Sequence, residues 1–364
     1  MQIDGSAYRT IWVDPDDGWS VRIIDQTRLP WALEIVRLTD AAQAAHAIRA
    51  MLVRGAPLIG ATAAYGLCLG LRADPSDAAL AATAALLAET RPTAVNLRWA
   101  LDRMAARLRP VAPAARAAAA YQEAARIADE DVAQNQAIGR HGLELIAAAA
   151  RRAPGRAVNV LTHCNAGWLA TVDWGTATAP LYVAQAAGIP LHVWVDETRP
   201  RNQGASLTAY ELGKAGIAHT VIADNAGGHL MQHGQVDLAI VGADRVTRSG
   251  DVANKIGTYL KALAAKDTGV PFWVAVPSST IDWTIADGVA DIPIENRAAS
   301  EVAEMTGRAA DGTVRTVRVI PDGSAAANPA FDVTPARLVS GLITERGCCA
   351  ATEAGLRGLF PERS

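Results

Sequence analysis

The sequence predicts an α/β protein: a small N-terminal strand meander with a helical domain, then a Rossmann-like, doubly wound parallel sheet. Three observations predict it. The first 40 residues hold short β-rich runs separated by turn residues. From there to about Ala150 the chain is alanine-rich with helical periodicity. From Ala157 onward, short apolar runs alternate with helix-length segments, the pattern of a parallel sheet covered on both faces. The expected division is 1–150 for the strand meander and helical domain, and 151–364 for the sheet domain.

The elements follow in order. TIWV, SVRIID and ALEIVRL are β-rich and are split by DPDDG and RLP, which gives the meander. DAAQAAHAIRAMLV opens a helix with Asp40 as its cap. APLIGATAAYGLCLGL follows a turn at Gly55 and carries Pro57 near a first helical position. PSDAALAATAALLAE, TAVNLRWALDRMAARL and a long Ala- and Glu-rich stretch complete the helical region. VNVLTHC, PLHVWVDE, AHTVIAD, VDLAIVGADR and VPFWVAVP then read as buried strands. TAPLYVAQAAG, ASLTAYELGKAG, NAGGHLMQHG and VANKIGTYLKALAAKDTG read as the helices between them, several closed by glycine. The tail, LITERGCCAATEAGLRGLF, returns to the sheet and ends in a helix.

Bulk properties narrow the function. The 364 residues suffice for two domains with a sizeable core. A formal net charge of -3 gives no basic excess for nucleic acid. The start, MQIDGSAYRT, lacks the charged and apolar regions of a secretion signal, and no run approaches the roughly 20 apolar residues of a membrane span. The four cysteines, Cys68, Cys164, Cys348 and Cys349, form no CxxC pair, so neither a zinc site nor a disulfide framework is expected. A reducing cytoplasm is the natural compartment, and Cys164 is then a free thiol.

In doubly wound sheets ligands bind beyond the carboxyl ends of the strands. Cys164, Asp196, Asp224 and Asp244 each fall at such an end. Cys164 is either core filling or a thiol activated by backbone N–H groups of a following helix start. Asp244 either caps a turn and pairs with Arg245 or Arg248, or is desolvated and held protonated as an acid. His163 and Cys164 are neighbours in a strand, so their side chains point to opposite faces and cannot share a metal. VRGAPLIG has P-loop glycine spacing but no P-loop lysine. What remains is Arg54 with the backbone of Gly55 and Ala56 before a helix, a place to hold one phosphate. ANKIG puts Asn254 and Lys255 at a predicted helix start. RPTAVNL offers Arg91, fixed by Pro92, and RNQG offers Gln203 before another helix. No GxGxxG follows the first strand, which argues against a dinucleotide cofactor.

RGAPLIG, RPTAVNL, CNAG, ETRPRNQG, VGADRV, GDVANKIGTYLKA, IPIENR and NPAFDVTP occur in this order. Together they resemble the methylthioribose-1-phosphate isomerases, from the superfamily that includes regulatory subunits of a translation-initiation exchange factor. The resemblance spans Asp25 to Gly347. It implies an N-terminal helical domain, a C-terminal Rossmann-like domain and a homodimer. It also implies aldose–ketose isomerisation of 5-methylthio-α-D-ribose 1-phosphate to 5-methylthio-D-ribulose 1-phosphate in methionine salvage, with no metal or organic cofactor. The family's catalytic cysteine matches Cys164 and its proton-donating aspartate matches Asp244. Its substrate-binding groups match Arg54, Gly55, Ala56, Arg91, Gln203, Asn254 and Lys255. Arg98 departs from the pattern, where a small or apolar residue is expected. The rival expectations are an isomerase of 5-deoxyribose 1-phosphate or ribose 1,5-bisphosphate, a non-catalytic regulatory subunit, and a nicotinamide-dependent dehydrogenase.

Overall fold

A computed structural model describes residues 1–91 and 93–363. Pro92, expected to fix Arg91, lies outside the described residues. The chain opens with a hairpin, β1 (Gln2–Ile3) and β2 (Ser6–Ala7). The expected meander follows as an antiparallel sheet of β3 (Ile11–Val13), β4 (Val21–Ile24) and β5 (Ile35–Leu38).

Five helices come next: α1 (Ala41–Arg49), α2 (Ala56–Ala73), α3 (Asp77–Ala88), α4 (Val95–Leu108) and α5 (Pro113–Arg152). Asp40 caps α1 as expected, its carboxylate accepting the Gln43 amide at 2.8 Å. Helix α2 is long and apolar enough to cross a membrane by composition, but it forms the buried centre of the helical domain.

Helix α5 runs through residue 150 and serves both halves of the molecule. Ala120, Ala124 and Ile127 join the helical core with α2, while Ile138, Ile146 and Ala149 pack under the sheet against Val158 and Val160.

The large sheet contains β6 (Val158–Thr162), β7 (Leu191–Asp196), β8 (His219–Ile222), β9 (Leu238–Val241), β12 (Phe272–Ala275), β17 (Gly341–Thr344) and β18 (Gly347–Cys349). Its spatial order is β18-β17-β12-β9-β6-β7-β8, parallel except for the edge strand β18. On one face lie α5, α6 (Ala179–Ala186) and α7 (Ala209–Lys214); on the other lie α8 (Ala226–Gln232), α9 (Thr258–Thr268) and α12 (Glu353–Leu359). Alternate strand residues feed the two cores: Val160 and Ile240 face α5 and α6, Leu161 and Val241 face α8 and α9. This explains why these strands read as unbroken apolar runs.

The order reverses at β6. β7 and β8 extend to one side of it, and β9, β12 and β17 to the other. The crevice between β6 and β9 is therefore the topological switch point, where such sheets hold ligands.

A second sheet was not legible in the sequence. It joins β10 (Arg245–Thr247), β11 (Val252–Lys255), β13 (Ile281–Asp282) and β16 (Phe331–Thr334) in the order β13-β10-β11-β16. Asn254 and Lys255, expected at a helix start, stand on β11, and the helix begins only at Thr258. The physical reason is a long-range pairing: Lys255 lies opposite Phe331 in an antiparallel ladder, and Gly257 at φ +101° turns the chain before α9. The remaining elements are α10 (Gly288–Asp291), α11 (Ser300–Ala303) and an exposed hairpin of β14 (Glu304–Arg308) and β15 (Val314–Arg318).

Candidate active site

The loops after β6 and β9 bring Cys164 and Asp244 into the lining of one cavity. Asp244 sits where the chain leaves the large sheet for the small one, its amide bonded to the Ala253 carbonyl at 2.9 Å. Arg54, Gly55, Arg91, Gln203 and Lys255 line the same cavity. Of the other two expected binding residues, Ala56 lines an adjoining recess. Asn254 turns its carboxamide to Thr258 Oγ1 at 3.0 Å, within the β11–α9 turn. Arg98 is exposed on α4 and is not part of the cavity lining.

The segment CNAG builds much of this site. Cys164 holds a left-handed backbone, φ +66°, which a non-glycine residue adopts at a cost of about 1–3 kcal/mol. Its amide donates to Thr198 Oγ1 at 2.8 Å, and its Sγ–H donates to Gln203 Oε1 at 3.2 Å. Asn165 grips Arg54: its side-chain oxygen accepts from Nη1, and its backbone carbonyl accepts from Nη2 at 2.6 Å. The Asn165 amide nitrogen then donates to Glu211 Oε1 at 2.9 Å. Glu211 also accepts from the Trp168 amide, the Leu169 amide and the Tyr182 hydroxyl at 3.1, 2.8 and 3.1 Å. Gly167 leaves the room in which this carboxylate docks.

Gly55 is fixed by a second close approach. Its φ is +95°, and a Cβ there would lie 2.4 Å from the Ala170 carbonyl oxygen. It stands directly before α2, so the cavity also receives the positive end of an 18-residue helix. Gln203 precedes a π-helical turn at Gly204–Thr208, a rare geometry that recurs at functional sites.

The electrostatics follow from burial. Desolvation pushes Asp244 above the usual carboxylate range, against the pull of Lys255, Arg91 and Arg54. It also raises the Cys164 thiol, although Arg54 and Lys255 oppose it. The expected activation by a helix start is therefore corrected. Only a single 3₁₀ turn, Trp168–Ala170, follows Cys164, and burial dominates. Burial likewise lowers Lys255. Lys255 Nζ donates to the Ala330 carbonyl at 2.9 Å and lies 4.3 Å from the Phe331 ring centre.

Two further cavity cations, Arg201 and Arg297, escaped the sequence reading. Glu301 joins them, accepting from Arg201 Nη1 and Arg297 Nη2 at 2.9 Å each. Burial works to raise Glu301, but the two guanidiniums hold it down to about 2. Glu295 bridges Arg297 Nη1 at 2.7 Å and Arg91 Nη2 at 2.9 Å. The only sequence signal was the arginines' presence inside the motifs RPRNQG and IENR. Nothing local shows that segments 100 residues apart converge.

Asp196 and Asp224, also at strand ends, lie on the other face with His163. His163 Nδ1 is 2.9 Å from Asp196 Oδ2, and its Nε2 donates to the Ile256 carbonyl at 2.8 Å. His163, Asp196 and Asp224 present their ligand atoms within 4.8 Å of one another, which is close enough for a metal. Lys261 already fills that role, its Nζ 3.3 Å from Asp196 Oδ2 and bonded to the Asp224 carbonyl. The Asp224 carboxylate is also engaged, accepting the Thr198 and Arg199 amides at 2.7 and 2.8 Å. The trio is thus an ion cluster that ties β6, β7 and α9 together. His163 and Cys164, expected as neighbours in a strand, both lie beyond the end of β6 at Thr162; the left-handed backbone at Cys164, not strand alternation, accompanies their bonding to different partners.

Fold and site define a doubly wound α/β protein whose switch point holds a buried thiol and a half-buried carboxyl group among several cations. A sequence model of the Initiation factor 2 subunit family matches residues 52–351. The methylthioribose-1-phosphate isomerase of Acidiphilium cryptum is 71% identical over 365 residues, covering 100% of this chain and 99% of the relative. The crystal structure of 5-methylthioribose 1-phosphate isomerase from Pyrococcus horikoshii superposes with a TM-score of 0.83 at 39% identity, covering 98% of this chain and 97% of that one. The crystal structure of the translation initiation factor eIF-2B, subunit delta, from A. fulgidus gives a TM-score of 0.80 at 37% identity, covering 98% of this chain and 100% of that one. The chain belongs to the methylthioribose-1-phosphate isomerase family, within the initiation factor 2 subunit family.

Proposed function

We propose that this protein is an aldose–ketose isomerase that converts 5-methylthio-α-D-ribose 1-phosphate to 5-methylthio-D-ribulose 1-phosphate in methionine salvage. The observation that carries this reading is the opening of Cys164 and Asp244 into one cavity lined by Arg54, Arg91 and Lys255. The full-length identity to named isomerases supports it.

The chemistry fits the groups. The anomeric carbon carries phosphate, so the ring cannot open to a free aldehyde. The C1–ring-oxygen bond must break while phosphate stays. Arg54, Arg91, Lys255 and the α2 start hold the phosphate. Asp244, whose pKa desolvation raises, gives its proton to the ring oxygen as that oxygen takes the bonding pair. One C2 hydrogen then reaches C1, and O2–H loses its proton to the Asp244 carboxylate as the ketone forms. Atoms and charge balance, and the acid is restored. The hydrogen travels either as a proton through Cys164 or directly as hydride. A thiol held protonated and donating to Gln203 favours the hydride route, with Cys164 packed against the migrating centre. Retention of a C2 deuterium at C1 in the product tests this, and exchange with solvent would restore the thiolate base.

Turnover of 5-methylthioribose 1-phosphate, 5-deoxyribose 1-phosphate and ribose 1,5-bisphosphate, measured side by side, tests the reaction. Isomerisation of none of the three would end it.

A second reading is a regulatory subunit, favoured by the likeness to the A. fulgidus structure. It explains neither the thiol nor the protonated acid. Stable association with a translation factor, without isomerase turnover, would select it. We further read the protein as a cytoplasmic homodimer. Four free thiols suit a reducing compartment, and the family resemblance implies the dimer. Its solution mass tests the dimer.

A further inference from the structure

Cys164 and Lys255 reach the cavity from different sheets. Cys164 lies beyond β6 of the large sheet, and Lys255 ends β11 of the small one. Their neighbours in the chain are joined: His163 Nε2 donates to the Ile256 carbonyl at 2.8 Å, a bond between residues 93 positions apart. Resting on the isomerase reading, we propose that this contact makes His163 a positioning residue, which holds Lys255 at the spacing from Cys164 that the bound sugar phosphate requires.

Both ends of the contact are fixed. The imidazole is 1% exposed, and its Nδ1 donates to Asp196 Oδ2 at 2.9 Å. Asp196 is fully buried and also faces Lys261 Nζ at 3.3 Å. The two ring nitrogens thus meet a carboxylate and a carbonyl, both acceptors, so each carries a hydrogen. The ring cannot turn without abandoning one of them. On the other side, the Ile256–Gly257 peptide is held at both of its polar groups. His163 takes the carbonyl, while Asp332 Oδ2 accepts the Gly257 amide at 2.7 Å and Asp332 Oδ1 accepts the Tyr259 amide at 3.0 Å. Gly257 has φ +101°, and a Cβ there would lie 3.0 Å from His163 Cε1. Glycine lets the turn come this close to the ring.

A tie that served stability alone could sit anywhere between the sheets. This one lies one residue from Cys164 on one side and one residue from Lys255 on the other. The two cavity groups also sense each other, since Lys255 works to lower the Cys164 thiol against its burial. Misplacing a group by about 1 Å, even from outside the reacting bonds, can cost roughly 100-fold in rate.

The test separates the two ring nitrogens. Gln places an amide near the Nε2 position and Asn places one near Nδ1. His163→Gln keeps the donor to Ile256 and gives up Asp196; His163→Asn does the reverse. With 5-methylthioribose 1-phosphate, His163→Asn should lose roughly 10- to 100-fold in kcat/KM, mostly through KM, and His163→Gln should restore it to within about threefold of the wild type. In a Lys255→Met background His163→Asn should cost nothing further, because both changes act through one group. Gly257→Ala presses on the ring from the turn side and should raise KM in the same non-additive way, which keeps the test open if His163→Asn does not fold. Equal kinetic losses in the Asn and Gln variants, or losses that add fully to Lys255→Met, would overturn the assignment. So would variants that lower Tm and leave the constants of the folded enzyme unmoved. Alkylation of Cys164 by iodoacetamide, located by peptide mass, needs no turnover. Arg54, Asp244 and Lys255 face the thiol, and only Lys255 is displaced, so the pH profile of alkylation should move to higher pH in His163→Asn and stay in place in His163→Gln. If the wild type turns over no sugar phosphate, the isomerase reading fails, and this profile alone decides the positioning role.

Discussion

Glu211 occupies the space that a side chain at Gly167 would need: a Cβ there would lie 1.7 Å from Glu211 Oε2. Backbone and side-chain donors converge on this buried carboxylate, and through Asn165 it sets the guanidinium of Arg54. Gly167→Ala should expel the carboxylate and strand those donors. The expected loss is at least about 3 kcal/mol of unfolding free energy, read by urea denaturation. A change within about 0.5 kcal/mol would contradict the packing described.

Glu211→Gln keeps the shape and removes the charge. The new NH₂ must face either the Asn165 and Leu169 donors or the Trp168 amide, so the network that sets Arg54 is weakened either way. KM should rise about tenfold, with kcat changed less, because the proposed grip on phosphate would be made in ground state and transition state alike. Tyr182→Phe removes a donor on the side away from Arg54 and should leave KM unchanged.

Cys164→Ser and Asp244→Asn should each lower kcat by roughly 10²–10⁴ with little change in KM, because the proposed mechanism has both groups act on the reacting bonds. Near-normal turnover in both variants would remove them from the mechanism.

The pH dependence has a definite sign. In the proposed reaction Asp244 works protonated, and desolvation raises its pKa. Activity should therefore persist above the ordinary carboxylate range and fall on the alkaline side as Asp244 ionises. A kcat profile still flat under strongly alkaline conditions, in folded enzyme, would contradict the acid role.

Asp131, buried on α5, is raised to about 7, chiefly by desolvation. A carboxyl whose folded pKa exceeds its unfolded value binds more protons when folded. Its stabilising contribution is complete below about pH 4 and is lost as pH rises through 7, by about 4 kcal/mol over the whole range. Glu211, raised to about 7, adds a slope of the same sign. Asp131→Asn can still accept the Val172 amide, which now lies 2.7 Å from Oδ2. It should make the decline in Tm between pH 5 and 8 shallower than in the wild type. An identical slope would show that Asp131 is ionised throughout.

The sequence by itself determined the N-terminal meander, the strands of the large sheet, most helices and the strand-end positions of Cys164 and Asp244. Apolar runs, glycine stops and the Asp40 cap are local signals, and a residue after a buried strand has little choice of where to stand. The sheet order was not local. Only the folded chain placed β9 beside β6, which turned two strand ends 80 residues apart into one crevice. Lys255 misled because its strand pairs with Phe331 across 76 residues, a contact that no helical period reveals. Arg201, Arg297, Glu295 and Glu301 stayed hidden for the same reason, as did the Glu211–Asn165–Arg54 relay. We propose that the parts divided near residue 150 fold interdependently, because α5 belongs to both cores. Local pattern fixes what each segment becomes; burial and long-range pairing decide which charges meet, and therefore which protons are held.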